Sequence, residues 1–534
     1  IIQKINLIGD HNKLFNNNLR DVVATSLPVN FNFVAYKCSQ NDVATQIDGL
    51  CHRIGAKVPI ANVGAVRDFK NFVGIEMKKL FEPINFDSDF TDETYHKHVN
   101  LPQHKIARMI KELKETEVGD RKFQPHNIQG HFKEEFYPTG PKTIRGIFAR
   151  LAAMKAKIGP IVHLMEEHVF QHDDFAKKIP GILKASKILE KMDTHGSYYY
   201  TTDFESWESS MSSEIMEAVE IQIYDYLLGN LECKENFLEV YRKILELNKI
   251  TTTYLQTTIK GRRMSGEMTT SLGNGLTNLM LLRYAAYLSC AKAKFLVEGD
   301  DGLISSDRPI RFDFFHLLGF VCKLQQLDDI KKSSFCGMIF TRPGHIIKDA
   351  ISALSKFGWC SRKYNNCSHR LRMGLLRAKA LSCIYETPHC PILAPFARRV
   401  LFLTRSYMPR FDTGLDNYFR MKLLNAIKDE KNIPPTDILP ETRVIYDEMY
   451  GIDPNTQRHI EEKLSEINLF DDNNWLNFAA SKVTIDLHHA YVNQNFVDNY
   501  NRKCTFISAN GNVNKNNKIA SILRSPADRV ICKQ

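Results

Sequence analysis

The chain has 534 residues, 43% of them hydrophobic, with 71 basic against 61 acidic side chains and a net charge of +10. That length accommodates about three domains with cores of their own, and the basic excess favours a polyanionic partner through counterion release. The composition excludes a disulfide framework, because the twelve cysteines contain no Cys-x2-Cys pair and read as reduced packing residues of a cytosolic protein. Cys360, Cys367, Cys383 and Cys390, with His369 and His389, are dense but wrongly spaced for the common zinc modules. No stretch reaches the ~18 continuous apolar residues of a membrane-spanning helix, and residues 1–20 lack a signal-peptide core. The chain opens on Ile1, which fits a piece of a longer reading frame or a processed product.

In chain order, helices are expected over residues 68–81 and 104–117. Residues 121–160 then hold eight Lys/Arg against two Glu. Taken alone, Lys142, Arg145, Arg150, Lys155 and Lys157 describe a solvated basic face. Residues 197–204, Ser-Tyr-Tyr-Tyr-Thr-Thr-Asp-Phe, are aromatic and β-branched and predict a strand ending at Asp203. Helical spacing follows over 209–228. Residues 261–275 are rich in small and hydroxyl side chains and lead into an apolar helix over 276–288. Ser265-Gly266 lets backbone approach a polyanion closely, and the helix N-terminus behind it favours negative charge. Thr270 and Asn274 are four apart, share a helix face, and can both bond sugar hydroxyls. In residues 294–304, Lys-Phe-Leu-Val-Glu-Gly-Asp-Asp-Gly-Leu-Ile, two apolar runs flank Gly299-Asp300-Asp301, the pattern of a buried hairpin with paired acids at its turn. Adjacent carboxylates are costly unless a cation neutralises them, and a hard divalent ion is the natural partner. With Asp203 they make a three-acid cluster able to hold two metal ions. Residues 350–385 hold seven basic side chains and no acid, interleaved with Phe357, Trp359 and Tyr364, which suits sugar-phosphate contact with some stacking. Residues 509–517 are Asn-rich and predict a loop or tail.

Each feature alone has an ordinary reading: Asp203 as a helix cap, Gly299-Asp300-Asp301 as a plain turn. Together, Asp203-x4-Glu208, Ser265-Gly-x3-Thr270-x3-Asn274 and Gly299-Asp-Asp301 resemble motifs A, B and C of the viral RNA-dependent RNA polymerases of positive-strand RNA viruses. The similarity is greatest to the tombusvirus-like and nodavirus-like lineage. Residues 132–137 and 142–150 resemble motif F, a basic roof over the incoming triphosphate, while 319–323 resemble motif D and 334–340 motif E. Glu208 stands where many members have Asp, and Lys331 and Lys332 lie near Lys323, the motif D lysine by position.

The resemblance implies an α+β right-hand fold of fingers, palm and thumb, with a small antiparallel palm sheet backed by helices. Residues 1–195 would be an N-terminal extension and fingers (motif F about 132–157), 196–345 the palm with a fingers insertion at about 230–262, and 346–534 the thumb and tail. It implies template-directed RNA synthesis from NTPs. Asp203, Asp300 and Asp301 would hold two Mg²⁺ ions, with Mn²⁺ an alternative, and Lys323 would be the general acid. Lys142, Arg145, Arg150, Glu208, Ser265, Thr270 and Asn274 would bind the NTP. Gly266, Lys356, Arg362 and Arg370 would bind RNA template and product duplex. Other viral replication proteins would be partners, in the host cytoplasm at membrane-associated complexes, with any anchor outside this chain. A reverse transcriptase-like palm enzyme and a catalytically silent RNA-binding relative remain as alternatives.

Overall fold

The aromatic and β-branched run after residue 197 forms the strand Tyr198–Glu205, which ends two residues past the expected Asp203. It lies inside a four-stranded antiparallel sheet, in the order Ala293–Glu298, Asp301–Ser306, Tyr198–Glu205, Val321–Leu327. Period-two alternation divides the sheet's side chains. Tyr200, Phe204, Phe295, Val297 and Ile304 enter the largest core. Tyr199, Leu296, Leu303 and Leu327 pack on the other side against Ile188, Leu189, Phe335 and Phe340. The acid-bearing strand ends project from that second face. The computed structural model describes residues 4–8, 24–25, 36–37, 43–85, 103–118, 124–133, 136–137, 143–179, 181–193, 198–341, 344–357, 359–360, 364, 367–411, 417–466 and 505–507.

The large core is helical. Val63–Leu80 is capped by Asn62, whose Oδ1 accepts from the Ala65 N–H at 3.0 Å, and it starts five residues before the expected 68. Gln103–Val118 matches its expected span within a residue at each end. Thr270–Leu288 is buried on nearly every side, which is what an all-round apolar helix requires. The helix expected over 209–228 is interrupted. Trp207–Ser210 is a separate turn, and Met211 and Ser212 pair with Arg263 and Arg262 before the chain re-enters helix at Ser213. A π-helical turn, Glu217–Ile221, then precedes Gln222–Leu227.

A second sheet has six strands and draws on distant segments, in the order Thr505–Ile507, Lys4–Leu7, Leu255–Lys260, Leu247–Thr251, Asn127–Phe132, Gly146–Arg150. Residues 247–260, between the first acid and the Ser265 loop, therefore share a sheet with the basic N-terminal segment. Beyond residue 345 the described chain is mainly helical, with its own core around Leu376, Phe396, Val400 and Tyr446. The fold is thus mixed, with small sheets backed by helices. No described helix is long and apolar enough to cross a membrane. The Asn-rich stretch 509–517 lies outside the described residues.

Candidate active site

The acids are set by strand register. Glu298 pairs with Asp301, leaving Gly299-Asp300 as a two-residue loop. Gly299 has φ +64 and Asp300 does not share that left-handed region, the pattern of a II′ turn led by glycine. Gly302 pairs with Thr202, so Asp301 and Asp203 stand one step further along adjacent strands. On the other side Asp203 pairs with Lys323. Asp203 and Asp300 reach solvent and Asp301 is partly covered.

The electrostatics follow from this crowding. The Asp301 carboxyl is pushed up to about 6, by burial first and then by the charges of Asp300 and Asp203. Asp300 is raised too, by burial and then by Glu208, with Arg53 and Arg145 opposing. Asp300 as a residue is exposed at the turn, yet the protein around its carboxyl disfavours the charge. Glu298 is paired with Lys184 at 2.5 Å.

Among the described residues no group of three or more His, Cys, Asp or Glu is placed to hold a metal ion by itself. Mg²⁺ is commonly bound by one or two carboxylates together with substrate phosphates. Hard oxygens on two strand ends and a turn, with a mutual repulsion that a cation would relieve, fit such an open site.

Ser265 and Glu208 are brought together: the Ser265 Oγ donates to Glu208 Oε1 at 2.5 Å. Arg53, at the end of the helix Val43–Arg53, lies 3.4 Å from Glu208 Oε2. That helix end is tied down by Ser209, whose hydroxyl donates to the Arg53 carbonyl at 2.6 Å. Gly266 has φ +131, and a Cβ there would sit 2.9 Å from Ile147 Cγ2, so only glycine lets the loop press on the strand Gly146–Arg150. The Phe148 N–H donates to the Ser265 carbonyl at 2.7 Å across the same contact. Thr270 closes the loop on itself, its hydroxyl donating to the Met264 carbonyl at 3.1 Å. Asn274, one turn later, is 8% exposed, and its Oδ1 has no partner.

The basic residues divide. Arg145 is exposed and acts on Asp300. Arg150 departs from its expected role at the triphosphate. It is 3% exposed, and its guanidinium bonds Glu267, the Pro125 carbonyl and Asn248. Alternation in the strand turns residues 146, 148 and 150 inward, so Arg150 fastens the strand to the Ser265 loop. Lys323 is exposed and paired with Glu205 at 3.0 Å. Lys331 is held between Asp329 and Glu441, and Lys332 pairs with Asp328, so neither joins the acid face. Arg370 is exposed at the start of His369–Glu386. Lys142, Arg362 and the side chain of Lys356 lie outside the described residues.

Comparison with known proteins gives distant matches over part of the chain. The chain is 27% identical over 222 residues to a protein named "Putative RNA-directed RNA polymerase" from Barley yellow dwarf virus (isolate PAV). It is 25% identical over 220 residues to the like-named protein of isolate MAV. Each match covers 38% of this chain, and the chain spans 24% of the length of these curated relatives. The family model of viral RNA-dependent RNA polymerase matches residues 155–385, a span that contains Asp203, Glu208, the Ser265–Asn274 segment and the Asp300–Asp301 turn.

Proposed function

We propose that the chain is an RNA-dependent RNA polymerase that copies a viral RNA genome from NTPs. The observation that carries this reading is the register that sets Asp203 and Asp301 on adjacent strands, with Asp300 in the turn beside them and Glu208, in contact with Ser265, acting on Asp300, within the span matched by the polymerase family. The four-stranded sheet with its helices would be the palm. The six-stranded sheet, including the insertion at about 230–262, would belong to the fingers, and the helical unit after residue 345 would be the thumb.

Asp203, Asp300 and Asp301 would hold two divalent cations, Mg²⁺ first. Such ions lower the pKa of the nascent strand's 3′-hydroxyl and neutralise charge on the leaving pyrophosphate. Arg145 and Arg53, both acting on Asp300, add positive charge where the triphosphate would lie. Lys323 shares the acid face in register with Asp203, and its pKa is raised by its bond to Glu205, so it stays protonated for donation as general acid. Glu208 and Ser265 present a carboxylate and hydroxyl to the sugar, and the unpartnered Asn274 Oδ1 is an acceptor that a ribose 2′-hydroxyl would satisfy. Template pairing supplies sequence choice.

Extension of a primed RNA template with labelled NTPs or dNTPs tests the reading. Template-directed incorporation with a strong NTP preference is expected. Efficient dNTP use would favour a reverse transcriptase-like enzyme, and RNA binding without incorporation a silent relative.

The raised Asp301 carboxyl sets a pH dependence with two signs. Its folded pKa of about 6 lies above the ordinary 3.8, so between these values the metal-free native state holds the extra proton and gains stability as pH falls. Cation binding needs the ionised form and weakens as pH falls through about 6. Titration with Mn²⁺, followed by the loss of its free-ion paramagnetic signal, is expected to show roughly tenfold weaker binding at about pH 5 than at about pH 7. A flat profile would remove Asp301 from the ligand set.

A further inference from the structure

Asn278 lies one helical turn beyond Asn274 and is fully buried. Its Nδ2 donates to the Gly299 carbonyl at 3.1 Å and to the Asp301 carbonyl at 3.0 Å. Those carbonyls bracket Asp300, so a single amide spans the turn that carries the acid. Helix and strands are in close contact here. A Cβ at Gly302 would lie 2.6 Å from Thr202 Oγ1 and 2.9 Å from Leu282 Cδ1. On its other side the turn is open, with nothing within 4 Å of where a Gly299 Cβ would stand. The neighbours of Asn278 on the helix, Leu276, Leu279 and Leu282, are apolar core residues. Burying an amide among them is costly unless its hydrogen bonds are used. Here both go to the turn, while its Oδ1 has no partner.

We propose that Asn278 is the positioning residue of the acidic turn. From a rigid helix it fixes the two carbonyls flanking Asp300, and through them the direction of that carboxylate. Its consequence for nucleotidyl transfer rests on the polymerase reading above; the clamp itself does not.

The test uses the full chain with Asn278→Asp, which keeps the shape but turns oxygen toward the carbonyls, and Asn278→Ser, which is smaller and cannot span them. Amide hydrogen exchange of the segment 293–306 is read beside that of the helix Thr270–Leu288, with kcat and KM for NTP. Exchange at the turn is expected to rise roughly tenfold in Asn278→Asp with the helix unchanged, since two hydrogen bonds are lost. kcat is expected to fall about 100-fold while KM and RNA affinity stay within about threefold. Asn278→Ser would show a smaller loss of the same kind. Unchanged exchange at the turn in both variants, or equal loosening of helix and turn in both, would overturn the proposal. If the wild type incorporates no nucleotide, the polymerase reading falls, and turn exchange still decides the clamp: raised upholds it, unchanged overturns it.

Discussion

Asp300→Asn is expected to lower NTP incorporation by about a thousandfold or more while leaving RNA binding and folding intact. The amide keeps the carboxylate's shape and the II′ turn with Gly299 at φ +64, and it removes a charge that the structure already disfavours. Burial and the nearby Glu208 raise the Asp300 pKa. Its ionised form is therefore less welcome in the fold than in the unfolded chain, so neutralising it should hold or slightly raise the thermal midpoint. Loss of activity with unchanged melting would separate cation binding from folding. Primer extension in Mg²⁺, a melting curve and salt-dependent RNA binding, measured on both proteins, decide the matter. Equal incorporation by wild type and variant would show that Asp300 holds no ion the chemistry needs.

What could be read before the structure was local. The strand at Asp203 and the hairpin at Gly299-Asp300-Asp301 follow from β-propensity, alternation and a glycine turn, all visible within ten residues. The contact of Ser265 with Glu208 joins positions 57 apart, and that of Arg53 with Glu208 positions 155 apart. No periodicity reports such separations. The buried position of Arg150 is illegible for a different reason. Counting charge in a basic run does not fix strand parity, and the strand Gly146–Arg150 faces 146, 148 and 150 inward. The break in the helix expected over 209–228 also has a distant cause, since Met211 and Ser212 meet residues 262 and 263. Asn278 sat in plain view in an apolar helix. A lone buried amide there was the available signal, and only the turn it bonds gives it meaning.

The second large effect is expected at a buried charge chain behind the Ser265 loop. Arg263 and Glu220 are both wholly buried and directly paired. Glu220 also accepts from Tyr241 at 2.6 Å and Tyr224 at 3.1 Å, phenols whose pKa is raised by burial and then by the Glu220 charge, so both remain donors. Arg263 continues to Glu267 at 3.3 Å, and Glu267 to Arg150 at 2.8 Å. Two cations and two anions alternate from the π-helical turn at Glu217–Ile221 to the strand Gly146–Arg150, passing beneath the loop that holds Ser265. A methyl at Gly273 would collide with both Glu220 and Arg263, so the helix Thr270–Leu288 closes the chain off from water. Glu220→Gln leaves the Arg263 charge with a weaker partner in a dry site and is expected to cost about 3–5 kcal/mol in unfolding measurements. Replacing both members, Glu220→Met with Arg263→Met, removes the charges together and is expected to recover most of that loss. The double variant then isolates positioning from stability. If the chain serves only folding, the recovered protein should incorporate nucleotide like the wild type. If it also aims the loop, the protein should fold and bind RNA yet extend primers with lowered kcat, because Ser265 and Glu208 are then held only from one side. A cost under about 1 kcal/mol for Glu220→Gln would mean that water reaches the pair and that the chain neither stabilises nor aims the loop.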